Sequence, residues 1–259
     1  MARRITEKRM LHLIKMWLQT PVEEMDQRGN KHRTTQNLDN KVGILQGSPI
    51  SPLLSNVYMR RFILGWKKLG LESKLKARIV NYADDMVICC KHGGASKALT
   101  KMRQLIERLK LQANEEKTHI CHIGEGSFDF LGYTLGLQHS TKTGRTHIGS
   151  RPSKKSVAKI IESISLETDR KSYGLEAKTL VDNINSKLAG WSNYFKLGAV
   201  SKAYKAIDEH TKTRLRRWLC KKHKEKTKGY ERFPNRYLYD ELGMIELPKR
   251  TKGLPWAKV

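Results

Sequence analysis

The sequence has few cysteines: of its 259 residues only Cys89, Cys90, Cys121 and Cys220 carry thiols, and none belongs to a CxxC pair. Zinc ribbons and fingers need closely spaced thiolates, so they are set aside, leaving buried free thiols in a reducing compartment. No run approaches the roughly 20 apolar residues that span a bilayer, and no membrane partner is expected. The basic start Met1-Ala2-Arg3-Arg4 imitates a signal peptide, but His12 and Lys15 interrupt the apolar stretch after it. No small-residue cleavage site follows. Secretion is therefore not expected. Internal repeats and low-complexity segments are also lacking.

Acidic residues are scarce. Asp and Glu number 25 against 51 Lys and Arg, a net charge of +26. Residues 1–150 hold 25 basic and 13 acidic side chains, a net of +12, and residues 151–259 hold 26 and 12, a net of +14. The charge is thus spread through the chain and thickens toward its end. Hydrophobic residues still make up 38%, enough for one or two domains with a core. A folded surface this positive releases counterions on binding a polyphosphate. Ribosomal proteins share that composition, so charge alone points to a polyanion and not to an enzyme.

Periodicity divides the chain. Met10, Leu13, Ile14, Trp17 and Leu18 repeat at helical spacing after Thr6, a candidate N-cap, and Pro21 ends that helix. Residues 22–42 are polar, with Gly29-Asn30 as a turn or hairpin tip. Leu53, Leu54, Val57, Tyr58 and Phe62 form a second helical stripe. Residues 78–82 and 86–91 are short and rich in Ile, Val, Tyr and Cys, which predicts a buried strand pair. Ala98, Leu99, Met102, Leu105, Ile106 and Leu109 give an amphipathic helix, and residues 119–123 and 128–137 read as two more strands. The polar stretch 139–153 is a candidate boundary, and beyond it three helical stripes follow, through Ile160, Ile184 and Ile207. The expected class is α+β: a mixed piece with an antiparallel sheet, then a helical piece.

Chemistry concentrates at Tyr82-Ala83-Asp84-Asp85, between the two apolar strands. Hard divalent cations take oxygen ligands, magnesium commonly one or two carboxylates plus substrate phosphates. Two such ions can steady both oxygens of a phosphoryl transfer. An exposed turn, where Asp is common, explains the tetrapeptide equally well. Upstream, Gly43 to Asn56 contains Gln46, Gly47, Ser51 and Pro52 in a glycine-punctuated entry to a helix, where backbone can approach a ligand. An ordinary capped helix is the alternative. Downstream come Asn114-Glu115-Glu116-Lys117-Thr118 and Phe128-Asp129-Phe130-Leu131-Gly132-Tyr133. Lys117 fits a phosphate-facing or a merely solvated lysine.

Taken in order, QGSPISPLLSN, YADD, NEEKT and FDFLG resemble the palm motifs of reverse transcriptases. The region 184–195, INSKLAGWSNYF, with the basic stretch 214–224 and residues 237–247, resembles the maturase-specific thumb of group II intron reverse transcriptases. The resemblance runs from about Ile5 to Lys258. It implies three parts: residues 1–42 before the palm motifs, a palm over 43–148, and a helical thumb/maturase domain over 149–259. The activity implied is RNA-directed DNA polymerisation with Mg2+ as cofactor, and the partners are intron or template RNA and a DNA primer.

Residue by residue, the resemblance makes Asp84 and Asp85 metal ligands and gives Lys117 a part in pyrophosphate departure. Gln46, Gly47, Ser51, Pro52 and Tyr82 fall near the incoming nucleotide and template-primer. Phe130, Leu131 and Gly132 fall where the family grips its primer. Lys212, Arg214, Arg216, Arg217, Lys221 and Lys222 are the candidate RNA-binding cations, with Lys226 on the same flank. Trp191, Tyr194, Phe195 and Trp218 read as core.

Two departures stand out. Leu45 occupies a position where the family usually has Pro. The family's first metal-binding Asp has no match, since Asp26 and Asp39, the only aspartates before Gly43, lie in the wrong context. The expectation is a chain lacking the fingers and one carboxylate, and inactive in polymerisation alone. It would then be an RNA-binding maturase module, or one half of a split enzyme whose fingers come from a separate chain.

Overall fold

The computed structural model describes residues 5–19, 22–25, 31–34, 50–140, 144–252 and 254, with the backbone alone at 22–25 and 32–34. The chain divides into two compact units, Met1–Ile120 and Cys121–Val259.

In the first unit, helix α1 spans Lys8–Gln19 and buries only Ile14 of its apolar stripe. Its first bond runs from the Leu11 amide to the Glu7 carbonyl, so Glu7 and not Thr6 occupies the cap position. Strands β1 (Val22–Met25) and β2 (Lys31–Thr34) pair antiparallel. The expected tip Gly29-Asn30 lies outside the described residues.

Helix α2 (Ser51–Lys68) starts with Pro in its first turn, where a missing N–H costs nothing. It buries Leu54, Met59, Phe62 and Trp66, whereas Leu53, Val57 and Tyr58 are exposed. The inward face is therefore rotated from the stripe read in the sequence, because Phe62 and Trp66, one turn apart, carry the larger apolar area. After a one-turn helix α3 (Leu71–Lys74) come β3 (Ala77–Tyr82) and β4 (Asp85–Cys90), then helix α4 (Ala95–Arg108). Ala98, Met102, Leu105 and Ile106 of α4 join Met59, Phe62, Trp66, Leu71 and Ala77 in one core.

The second unit opens with an antiparallel sheet in the order β5 (Ser127–Phe130), β6 (Tyr133–His139), β7 (Thr146–Pro152). Two expectations change here. Residues 119–123 form no strand, only an isolated bridge between Ile123 and Gly126, because His119, His122 and Gly124 break the apolar run. Residues 128–137 are not one strand but a hairpin, Phe130 pairing with Tyr133.

The polar stretch proposed as a boundary contains β7, which pairs along the whole of β6 from Tyr133↔Pro152 to His139↔Thr146. Helices α5 (Lys154–Glu167), α6 (Ala177–Tyr194) and α7 (Ser201–Lys222) follow, with a π turn (Tyr237–Glu241) and a 3-10 turn (Leu247–Thr251). Ser153 caps α5 by accepting from the Ser156 amide at 3.1 Å. The three sequence stripes do face inward, through Ile160, Ile164, Leu180, Ile184, Leu188, Tyr204, Ile207 and Trp218. The class is mixed helix and strand, small antiparallel sheets followed by a helical unit.

Candidate functional site

The β3–β4 hairpin places the two carboxylates. Its register runs from Ala77↔Cys90 to Tyr82↔Asp85, so Ala83 and Asp84 form a two-residue tip. Ala83 has φ 51°, the left-handed region that primed hairpin turns require and that glycine enters most cheaply. Strand alternation puts Ala77, Ile79, Met86, Ile88 and Cys90 on the helices' core. Val80 and Tyr82 lie on the opposite face, 52% and 66% exposed. Asp85, directly across from Tyr82, shares that open face, and Asp84 sits in the tip. Among the described residues of the first unit, the strand pair expected to be buried is thus covered on one side only, since its helices supply a single apolar surface.

Both aspartates are exposed. Among the described residues neither is in an ion pair, so their charge is free for a cation. Two adjacent hard oxygen donors open to solvent would suit magnesium, which is commonly held by one or two carboxylates together with substrate phosphates. No group of three His, Cys, Asp or Glu gathers anywhere among the described residues. Asp26 and Asp39 lie outside them, as do Gln46 and Gly47.

Ser51 is half-buried and Pro52 exposed, both in the first turn of α2. Lys117 is exposed on a turn closed by Asn114, whose side-chain oxygen accepts from the Lys117 amide at 3.2 Å. The Asn114 carbonyl accepts from the Thr118 hydroxyl at 2.7 Å. An Arg103–Glu115 ion pair ties the same turn to α4. The backbone is therefore set locally while the ammonium group stays in water.

Phe130, Leu131 and Gly132 form the β5–β6 turn. Leu131 and Gly132 have φ 50° and 79°, the paired left-handed values of a type I′ hairpin. The helical unit clamps this turn. The Tyr194 hydroxyl donates to the Leu131 carbonyl at 3.0 Å, and the Gly132 carbonyl accepts from the Ser153 amide at 2.8 Å and the Ser156 hydroxyl at 2.9 Å. A Cβ on Gly132 would sit 2.9 Å from Ser156 Oγ and 3.0 Å from Phe195 Cζ, so glycine is needed for contact as well as for φ.

The Tyr133 hydroxyl donates to the Tyr194 carbonyl at 2.6 Å, and burial pushes its pKa up. Tyr133, Trp191 and Tyr194 all stack near Phe195, with centroids 4.7–5.0 Å away. Of the four aromatics read as core, Phe195 and Trp218 are buried, Trp191 is half-buried and Tyr194 exposed. Leu131→Asn, which keeps the turn but tolerates left-handed φ, is expected to raise stability by about 1 kcal/mol, measured by urea unfolding.

The basic helix α7 differs most from its sequence reading. Lys212 is buried and pairs with Glu209 at 2.6 Å and Asp208 at 3.6 Å. Arg214 donates to Thr168 Oγ1 at 2.9 Å and the Ser165 carbonyl at 2.8 Å. Arg216 donates to the Phe233 carbonyl at 3.0 Å and Asn235 at 2.8 Å. Lys222 donates to the carbonyls of Tyr173 and Leu175 at 2.9 and 2.7 Å. These four are spent inside the fold, Lys212 on two carboxylates and the other three on backbone carbonyls and side-chain oxygens. Of the six candidates, Arg217 and Lys221 are exposed, and so is Lys226.

Asp208, with its pKa raised by burial, accepts from the Tyr239 hydroxyl at 2.6 Å, fastening the π turn to α7. Sequence reasoning passed over Tyr230, whose ring lies against Arg216; a lone exposed aromatic in a loop carries no periodic signal.

No helix among the described residues is long and apolar enough to cross a membrane. No curated protein matches the chain. The family model for reverse transcriptase (RNA-dependent DNA polymerase) matches residues 1–135, more than half of the chain. That for the group II intron, maturase-specific domain matches residues 157–238. With palm motifs and maturase helices in this order, the chain belongs to the group II intron reverse transcriptase/maturase family.

Proposed function

We propose that Asp84 and Asp85 hold Mg2+ for RNA-directed DNA synthesis, and that the helical unit binds intron or template RNA. The observation that supports the first part is the acidic pair itself: two exposed carboxylates at a hairpin tip, unpaired among the described residues. Magnesium, when bound, supplies charge stabilisation to the oxygens of phosphoryl transfer. The chain's own part is positional. The hairpin register sets Asp85 on the open face beside Tyr82, with Asp84 in the tip, where a template-primer end has access. Lys117, on its closed turn, presents one cation for pyrophosphate. Gln46, Gly47, Ser51 and Pro52 are assigned to the nucleotide side, and Phe130, Leu131 and Gly132 to the primer.

We assign residues 43–148 to the palm and 149–259 to the maturase domain, and the setting to the bacterial cytoplasm. Two carboxylates give less charge than a polymerase site needs, so a further donor is required, and a fingers-bearing segment, in the same protein or in a separate chain, is its proposed source. RNA binding is then the activity that this chain has by itself, as a maturase module.

Primer extension tests the first part, with the expected result set out in the Discussion. Salt-dependent RNA binding tests the second. Arg217→Ala with Lys221→Ala should weaken RNA binding and lower the slope of log K against log salt by roughly 1 for each cation removed. Arg216→Ala should instead show its main effect in unfolding, because its partners are protein carbonyl and amide oxygens. An unchanged slope in the double variant would remove those two residues from the interface.

A further inference from the structure

One cavity of the helical unit joins a buried cation to an open aromatic ring. It measures about 380 Å3 and is lined by Glu209, Lys212, Thr213, Arg216, Tyr230 and Asn235, beside Pro234. That size falls within the range of small-ligand clefts. Arg216 forms one wall and is 4% exposed. Its two bonds, to the Phe233 carbonyl and Asn235 Oδ1, fix the guanidinium plane. The Tyr230 ring lies over that plane, its centroid 4.3 Å from Arg216 Cζ, a cation–π contact.

Tyr230 is nevertheless 60% exposed. The ring is not there to fill the core. The residue before it is held at both of its backbone groups: the Gly229 amide donates to Thr227 Oγ1 at 3.1 Å and the Gly229 carbonyl accepts from the Phe233 amide at 2.8 Å. Gly229 has φ 73°, and a Cβ there would meet Cys220 Sγ at 2.2 Å, so the loop lies directly against α7. The result is an aromatic surface, backed by a cation and open to solvent.

The remaining lining groups are polar. Asn235 gives its Oδ1 to Arg216, which leaves its amide hydrogens as donors. Thr213 adds a hydroxyl. Lys212 brings a charge that Glu209 and Asp208 offset. A stacking face with a few hydrogen-bonding groups on its rim matches one splayed nucleobase, the unit by which single-stranded RNA is read. An apolar side chain of a protein partner would gain nothing from the buried guanidinium or from the Asn235 amide.

We propose that this cavity takes one unpaired ribonucleotide, its base stacked on Tyr230 and its edge against Asn235 and Thr213. The inference rests on the RNA-binding reading above and names what this part of the surface recognises.

The test uses the full chain and two probes: a short fluorescein-labelled single-stranded RNA of mixed sequence, and the same RNA annealed as a blunt duplex. Binding is followed by anisotropy at several salt concentrations. Tyr230→Ala should weaken single-strand binding about 10-fold, the effect of losing one base–aromatic stack. Duplex binding should stay within about twofold and the salt slope should be unchanged, since no phosphate contact is removed. Tyr230→Trp should retain binding. Tyr230→Leu, which keeps apolar bulk without a π face, should behave as Tyr230→Ala. Circular dichroism confirms folding of each variant. Single-strand binding equal to wild type in Tyr230→Ala or in Tyr230→Leu overturns the inference and leaves the RNA-binding reading intact. Failure of the wild-type chain to bind either RNA overturns both.

Discussion

Primer extension on an RNA template, with magnesium and all four deoxynucleotides, is expected from this chain only when a separately expressed fingers-bearing half is added. Asp84→Asn in that mixture is expected to lower the rate on the order of 1,000-fold. The physical ground is charge and position. The transferred phosphoryl group has little covalent chemistry for the protein to assist, so catalysis depends on held cations and alignment. A carboxamide keeps the size of the side chain but loses the anionic oxygen. Removing a single preorganised electrostatic group from such a site costs about 100- to 1,000-fold, and the metal-binding role proposed for Asp84 puts it at the upper end.

Because Asp84 is in the hairpin tip and exposed, the substitution should leave the unfolding midpoint unchanged, which separates lost chemistry from lost fold. Extension by the chain alone, abolished in Asp84→Asn, would sink the requirement for a further carboxylate. Undiminished extension by Asp84→Asn in the mixture would remove Asp84 from the metal site.

The second large effect is on stability and concerns two glycines eight positions apart. Gly198 follows α6 with φ 75°, and a Cβ built there would lie 1.9 Å from the Ser150 carbonyl oxygen. That carbonyl is fixed, since it accepts from the Ala199 amide at 2.8 Å and belongs to β7. Gly198→Ala must therefore move backbone as well as adopt a left-handed φ, and about 3 kcal/mol or more should be lost. Gly190, by contrast, lies inside α6, exposed, with nothing within 4 Å of its would-be Cβ. Gly190→Ala should stabilise by about 0.5–1 kcal/mol through helix propensity. Urea unfolding of the two variants beside wild type reads both signs at once. A Gly198→Ala protein as stable as wild type would show that the α6–α7 connection does not pack on β7 as described.

Several structural results changed the meaning of residues without changing their identity. The type I′ turn at Leu131-Gly132 was hidden because Leu is an unusual residue for left-handed φ; Gly followed by an aromatic was the available signal. The clamp on that turn draws on Ser153, Ser156, Tyr194 and Phe195, residues 21 to 64 positions away, so no local pattern announces it. The one-sided burial of β3–β4 was equally hidden, since Val80, Tyr82 and Val87 look as apolar as the residues facing the helices.

By itself the sequence determined the strongly basic character, the order of palm and maturase motifs, the hairpin carrying Asp84 and Asp85, and the three inward stripes of the helical unit. Those are properties of composition, spacing and local period, and the chain carries them at short range. Tertiary structure alone decided which cations are available. Lys212, Arg214, Arg216 and Lys222 look the same in sequence as Arg217 and Lys221, but their reach is consumed by carbonyls and side chains brought close only by folding. It also decided that Tyr230 stands on a guanidinium instead of dangling in a loop. A charged or aromatic side chain is defined by what lies within a few ångströms of it, and that neighbourhood comes from residues distant in the chain.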